Sequence, residues 1–200
     1  EEKNIQIPKI IAISKTFPIE NVMPLIEHGH IHYGENKVQE AEIKWKNIKN
    51  KFERLNLHLV GKLQTNKVKK ALSIFDYIHS LDNMKLANTI SKNQKDSKKK
   101  IKLFVQVNMG NESQKNGISA NEAVTFVKKC TNDLKLNIIG LMCLPPIDLN
   151  SEKYFKELYE LKNLCEVSHL SMGMSADYLN ATKYKSSFLR IGSSIFGPRN

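Results

Sequence analysis

Few side chains in this sequence could do covalent chemistry, and the first to consider is a lysine. Lys15 ends the apolar run Ile10-Ile11-Ala12-Ile13-Ser14 and precedes Thr16-Phe17-Pro18. A short, β-branched run of this kind reads as a strand buried on both faces. In α/β folds ligand sites gather at the carboxyl ends of such strands. Partial desolvation there lowers an ammonium's pKa and makes the free amine a nucleophile. The bland alternative is a surface lysine, its stem along apolar neighbours and its charge in water. With 31 Lys and Arg in the chain, Lys15 alone decides nothing.

Two later stretches could hold an anion. Ser171-Met172-Gly173-Met174-Ser175 leads toward a helix, and Arg190-Ile191-Gly192-Ser193-Ser194 closes the last apolar run. Backbone N–H groups at such turns and helix starts bind phosphate, and serine hydroxyls add donors. Capping serines and turn-forming glycines would look the same. Arg190 has three open roles: facing a ring nitrogen, binding phosphate, or pairing at the surface. A guanidinium stays charged and accepts no proton, so in the first role it would disfavour carbanion chemistry.

Other candidates are weaker. His28, His30 and His32 straddle a turn without a matching carboxylate, which fits surface or packing histidines better than metal ligands. His58 and His169 are expected to be hydrogen-bonded near the core. Cys130, Cys143 and Cys165 contain no CxxC pair and leave an odd number, so neither a disulfide framework nor a zinc site is expected. A reducing cytoplasm follows as the expected location. Cys143 reads as a small core residue rather than a nucleophile.

The elements that would position these groups alternate regularly. Strands are expected at 10–15, 31–34, 57–61, 75–81, 101–107, 136–144, 169–173 and 188–192. Helices are expected at 20–29, 37–52, 66–73, after an Asp82 cap, from a Ser119/Glu122 capping box to about Lys129, at 151–165 and at 175–184. Eight strands alternating with helices, with no composition break, predict an α/β fold: a single-domain (β/α)8 TIM barrel. An open doubly wound sheet is the alternative, although no GxGxxG follows the first strand.

In a barrel all eight carboxyl ends meet at one face, with phosphate usually held after strands seven and eight. Lys15, Asn36, Gly61 to Gln64, Asn108, Met142 to Leu144, Ser171 to Ser175, Arg190 and Gly192 to Ser194 would converge there. An amine beside a phosphate cradle, without an acidic cluster for Mg2+, suits a phosphorylated aldehyde held as a Schiff base. Two chemistries compete. One is binding of pyridoxal phosphate; the other is an aldolase acting on a sugar phosphate, for which Glu35 is the available acid/base.

The net charge of +11 raises the question of nucleic acid. Much of the excess sits in Lys92, Lys95, Lys98, Lys99, Lys100 and Lys102, a connecting stretch with no interleaved aromatics. Stacking on single strands would want them, so a solvated loop and no specific nucleic-acid partner are expected. No apolar run approaches the ~20 residues that cross a bilayer, and no membrane partner is expected.

Six segments together resemble the pyridoxal phosphate homeostasis protein family. They are residues 12–16, Tyr33-Gly34-Glu35-Asn36-Lys37-Val38-Gln39-Glu40, residues 58–67, residues 140–145, residues 170–175, and Arg190-Ile191-Gly192-Ser193-Ser194-Ile195-Phe196-Gly197. Val107-Asn108 with Glu112, Gln114, Lys115 and Gly117 is similar to its middle segment. The resemblance implies one pyridoxal phosphate-binding barrel over residues 1–200, similar to the amino-terminal domain of alanine racemase. It carries the Schiff base to Lys15, the ring nitrogen to Arg190, and phosphate contacts to Ser175, Gly192 and Ser193, with Asn36 and Met172 lining the pocket. It implies a non-catalytic carrier of the cofactor pyridoxal 5'-phosphate that regulates vitamin B6 and amino-acid balance in the cytoplasm. Dependent apo-enzymes would be its partners, and it would be a monomer or weak dimer. A weak amino-acid racemase is the alternative, disfavoured because no second domain is expected to bring a second base. Lys185-Ser186-Ser187 departs from the family's usual Gly-Ser-Thr. The helix expected before the first strand is largely missing, which predicts a trimmed chain.

Overall fold

The computed structural model describes residues 7–95, 100–110, 116–146 and 150–198. Lys98, Lys99, Glu112, Gln114 and Lys115 lie outside the described residues. Eight strands form a ring: β1 (Lys9–Ile13), β2 (His32–Glu35), β3 (Asn56–Leu59), β4 (Tyr77–Leu81), β5 (Lys102–Asn108), β7 (Ile138–Cys143), β8 (His169–Met174) and β9 (Phe188–Ile191). Every neighbouring pair is parallel, and pairing of β9 with β1 and of β4 with β5 closes the barrel. A two-residue strand, β6 (Ile118–Ser119), adds to β5 outside the ring.

The outer layer consists of α1 (Ile19–Glu27), α2 (Val38–Lys51), α3 (Val68–Ile74), α4 (Met84–Gln94), α5 (Ala123–Lys128), α6 (Ser151–Leu164) and α7 (Tyr178–Lys183). A further short helix, α8 (Ser193–Phe196), follows β9 and was not expected. The cap of α4 is Asn83, whose side chain accepts from the Leu86 N–H at 2.8 Å, not Asp82. Ser119 opens a 3-10 turn at Ala120–Glu122, and its hydroxyl donates to Glu122 rather than completing a capping box. Lys102 belongs to β5, where its ammonium donates to the Tyr77 hydroxyl at 3.0 Å.

Strand alternation sorts the core into two layers. Outward positions such as Ala12, Tyr33, Leu57, Leu59, Val105, Leu141, Met172 and Leu189 pack under the helices against Val22, Trp45, Ile90 and Phe155. Inward positions include Ile11, Ile13, Tyr77, Phe104, Met142 and Phe188. Branched aliphatic residues usually fill a barrel, but here the middle holds histidines. His58 and His79 are fully buried, and His32 nearly so. His32 Nδ1 lies 2.9 Å from His58 Nε2, and His58 Nδ1 lies 2.9 Å from His79 Nε2. The ring of His58 stacks on Tyr77 at 4.2 Å, and that of His79 on Phe104 at 4.3 Å. His169 departs from expectation: its Nδ1 is buried without a hydrogen-bond partner among the described residues.

Burial disfavours the charged imidazolium. It lowers His32 to about 4, with Lys9, His30 and Lys102 adding repulsion. Burial also pushes His58 and His79 well below the ordinary range, helped by neighbouring histidines, Lys102 and Lys9 at the first and by Arg190 at the second. The unfolded chain takes up these protons below about pH 6.5 and the folded chain refuses them, so stability falls as pH drops through that value. Each refused proton contributes about 1.4 kcal/mol per pH unit. Denaturant titrations are expected to show near-constant stability above pH 7 and a loss of roughly 3–4 kcal/mol per unit between pH 6 and 5 from these three groups. A flat profile over that interval would contradict a neutral histidine core.

Candidate functional site

The carboxyl ends of the strands surround a cavity of about 410 Å3, within the range of roughly 300–1,000 Å3 for small-molecule sites. Lys15 reaches it from the end of β1, Asn36 from β2, Gln106 from β5, Ser175 from the loop after β8, and Arg190, Gly192 and Ser193 from β9 and the start of α8. Gly61, Lys62 and Asn116 complete the polar rim, while Ile13, Val60, Leu144 and Met174 supply apolar wall. No carboxylate lines this cavity among the described residues. It offers one strand-end amine, a guanidinium, hydroxyls and amides: a place for an anion and an aldehyde, and none for a divalent cation.

Six of the seven expected site residues come together here; Met172 does not. Ser171 faces inward, so its neighbour Met172 must face the helices, where it is fully buried in the outer core. A bulge follows, with Ser171 to Met174 on β8 opposing Phe188 to Arg190 on β9. That register shift carries Met174 round to the cavity wall. Gly173 permits it at φ +93°, where a Cβ would stand 2.6 Å from that of Ala181.

The chain around Lys15 is anchored from outside the barrel. Thr16 takes φ 69°, an uncommon conformation for a β-branched residue, so the chain turns sharply beyond the lysine. Ser14, one residue before it, is held twice: its carbonyl accepts from Lys44 Nζ at 2.7 Å, and its hydroxyl donates to Glu35 Oε1 at 2.8 Å. Glu35 Oε1 also accepts from Lys44 Nζ at 2.8 Å and Trp45 Nε1 at 2.9 Å, both on α2. Glu35 therefore points away from the cavity, which removes the acid/base that an aldolase would need.

Arg190 is almost fully buried. Its Nη1 donates to the Ser171 carbonyl and hydroxyl at 2.7 and 2.8 Å, and its Nη2 to the Cys143 carbonyl at 2.8 Å. Burial lowers its pKa from the ordinary value, opposed by Cys143 and Asp177. The fully buried Cys143 thiol is pushed up to about 12, which makes it inert at neutral pH. All three cysteines are buried and free.

On the phosphate side, the Gly192 N–H reaches the Ser175 hydroxyl at 3.4 Å, joining the two serine-bearing loops. α7 begins at Tyr178 rather than Ser175. The Asp177 carboxylate takes the Met174 N–H at 2.6 Å and its own N–H returns to the Met174 carbonyl, so the intervening residues form a turn. Sequence reasoning missed Gln106 and Asn116, whose contact (Gln106 Nε2 donating to the Asn116 carbonyl at 3.2 Å) closes one wall. Inward parity along β5 is the signal that would have found Gln106. A second cavity, about 510 Å3, lies outside the barrel against Phe17, Ile19, Ile43 and Lys44, without convergent donors.

Residues 3–200 match the family model described as alanine racemase, N-terminal domain. The chain is 33% identical over 210 residues to the pyridoxal phosphate homeostasis protein of Haemophilus influenzae, covering 100% of this chain and 89% of that protein. It belongs to the pyridoxal phosphate homeostasis protein family. The structure of PipY from Synechococcus elongatus with PLP bound superposes with TM-score 0.84 and 30% identity over 95% of this chain and 92% of that one. A Clostridium difficile alanine racemase shares the fold at 14% identity and TM-score 0.74, matching 53% of that enzyme's chain. No helix among the described residues is long and apolar enough to cross a membrane.

The Glu35 cluster behind Lys15 is testable. Glu35→Leu leaves the Lys44 ammonium, 11% exposed, without its carboxylate, and is expected to cost about 3–5 kcal/mol in chemical denaturation. Adding Lys44→Met should recover part of that loss, because the stranded charge is gone.

Proposed function

We propose that the protein binds pyridoxal 5'-phosphate and carries it as a supply to other proteins, without catalysing a reaction of its own. What carries this reading is the meeting of Lys15, Arg190 and the joined serine loops on one cavity with no carboxylate among its described lining residues. When bound, the cofactor supplies an aldehyde that condenses with a primary amine. Lys15 is the amine placed to take it. Ser175, Ser193 and the N–H groups opening α8 would hold the phosphate as neutral donors, and the remaining N–H groups of Arg190 would serve the ring nitrogen. Asn36, Ile13 and Leu144 would supply wall for the ring.

Arg190 bears on the choice between a carrier and a catalyst. A carboxylate beside the ring nitrogen would keep it protonated and make the cofactor a strong electron sink. A guanidinium carries only N–H donors and accepts no proton, so the ring nitrogen beside it would stay unprotonated and the ring would be a weaker electron sink. Racemisation by two bases also needs a proton donor on the face opposite the lysine, which leaves Lys15 alone only a slow one-base route. Among the described lining residues there is no tyrosine, histidine or carboxylate, and the second amine, Lys62, donates to Asn116 Oδ1 at 2.8 Å. Both observations favour the carrier over an amino-acid racemase. The receivers are apo-enzymes that use the same cofactor, in the cytoplasm where the buried free thiols stay reduced.

Purified protein mixed with pyridoxal 5'-phosphate is expected to turn yellow. Borohydride reduction should then fix the cofactor to the Lys15 peptide, as read by mass spectrometry, and Lys15→Ala should lose the near-visible band. Ser175→Ala should weaken binding about 10- to 100-fold, the usual range for one hydrogen bond to a charged group. A colourless wild type sinks the cofactor reading, while turnover of alanine enantiomers at enzyme-like rates would replace the carrier with a racemase.

A further inference from the structure

A chain of hydrogen bonds runs from the barrel floor to the cavity, and Arg190 decides its direction. A guanidinium only donates, so the Ser171 hydroxyl, at 2.8 Å from Nη1, must accept. Its single hydrogen is then left for His79 Nδ1, 2.9 Å away. Were His79 to donate instead, that hydrogen would be shut into a fully buried site with no acceptor, an uncompensated desolvation. With Nδ1 accepting, neutral His79 carries its proton on Nε2 and donates to His58 Nδ1 at 2.9 Å. The same logic sets His58, whose Nε2 donates to His32 Nδ1 at 2.9 Å. Both histidines are fixed as the Nε2–H tautomer by an arginine up to three hydrogen bonds away.

Burial keeps the chain neutral, and cations at both ends reinforce it. Arg190 faces His79, while Lys9 and Lys102 face His58 and His32, with Asp76 pulling weakly the other way at His32. Lys9 sits over the Phe188 ring at 5.5 Å and Lys102 over the Tyr77 ring at 4.7 Å, both at the floor. Hydrogen bonds aligned head to tail polarise one another. A serine hydroxyl that donates to His79 is therefore a better acceptor for Arg190.

We propose that Ser171, His79, His58 and His32 form a positioning relay that locks the Arg190 guanidinium in the orientation facing the ring of the bound cofactor. This rests on the cofactor reading given above. None of the four is among the described residues lining the cavity; each acts through the next. Aliphatic side chains would fill the same space at less desolvation cost, so the histidines are explained by what the chain does to Arg190.

Two measurements test this. In apo wild-type protein labelled with 15N-histidine, NMR at pH 7 should find His58 and His79 neutral with the proton on Nε2. A proton on Nδ1 of either, or a charged ring, overturns the relay, and this readout needs no variant to fold. In cofactor-loaded protein, Ser171→Ala and His79→Leu should raise the Kd for pyridoxal 5'-phosphate at least tenfold. They should also move the pH midpoint of the bound cofactor's near-visible absorbance by one pH unit or more. His79→Gln, whose amide can both accept from Ser171 and donate to His58, should stay within threefold and half a unit of wild type. Folded Ser171→Ala and His79→Leu proteins matching wild type in both quantities overturn the proposal while leaving the cofactor reading intact. A wild type that binds no cofactor overturns the cofactor reading and the relay's role with it.

Discussion

A guanidinium buried near the top of a closed barrel has to find acceptors, and much of this structure is arranged around that need. Arg190 obtains them from two neighbouring strands: the Ser171 carbonyl and hydroxyl on β8, and the Cys143 carbonyl on β7. Filling those acceptors costs the barrel a polar interior. Ser171 requires a partner for its own hydrogen, which brings in His79, then His58 and His32. The aromatic rings of Tyr77, Phe104 and Phe188 pack round these imidazoles and exclude water. The result is an interior that is polar along one line and apolar on either side of it.

Lys15 depends on a different anchor. Its strand ends in a sharp turn at Thr16, and the backbone just before it is gripped by Lys44 and Glu35 from the α2 side. The cavity-facing Lys15 and the groups that anchor the chain beside it therefore lie on opposite faces of the same strand. This division suits the proposed carrier, which would bind an aldehyde without using it. The cavity side holds amine, amides and hydroxyls, while the side chain best suited to move protons, Glu35, is turned into the helix layer.

Much of the site was legible because it depends on where strands end. Lys15, Asn36, Ser175, Arg190, Gly192 and Ser193 all stand at or just past a strand's carboxyl end, and barrel closure brings those ends together. Met172 failed for a reason that periodicity could not supply. Alternation predicts its outward direction only once Ser171 is known to face in, and the bulge at Gly173 then hands the wall to Met174. The linkage of the histidines was hidden for a different reason. His32, His58 and His79 sit on three separate strands, each at an inward position, and nothing local distinguishes them from isolated core residues.

The order of apolar runs, helix faces and turn residues by itself determined the repeating βα architecture, the eight-strand count, and the strand-end position of Lys15. These follow from local patterning, since burial on both faces of a strand and on one face of a helix is written into residue type and spacing. Only the tertiary structure decided which side of each strand meets the cavity. Register between β8 and β9 is a long-range property, and a one-residue shift there reverses which side chains point inward. It likewise decided that Glu35 serves as an anchor and that three distant imidazoles form one chain with Ser171 and Arg190. Hydrogen-bond direction passes between groups only where their atoms come within about 3 Å, and no spacing along a single strand encodes that.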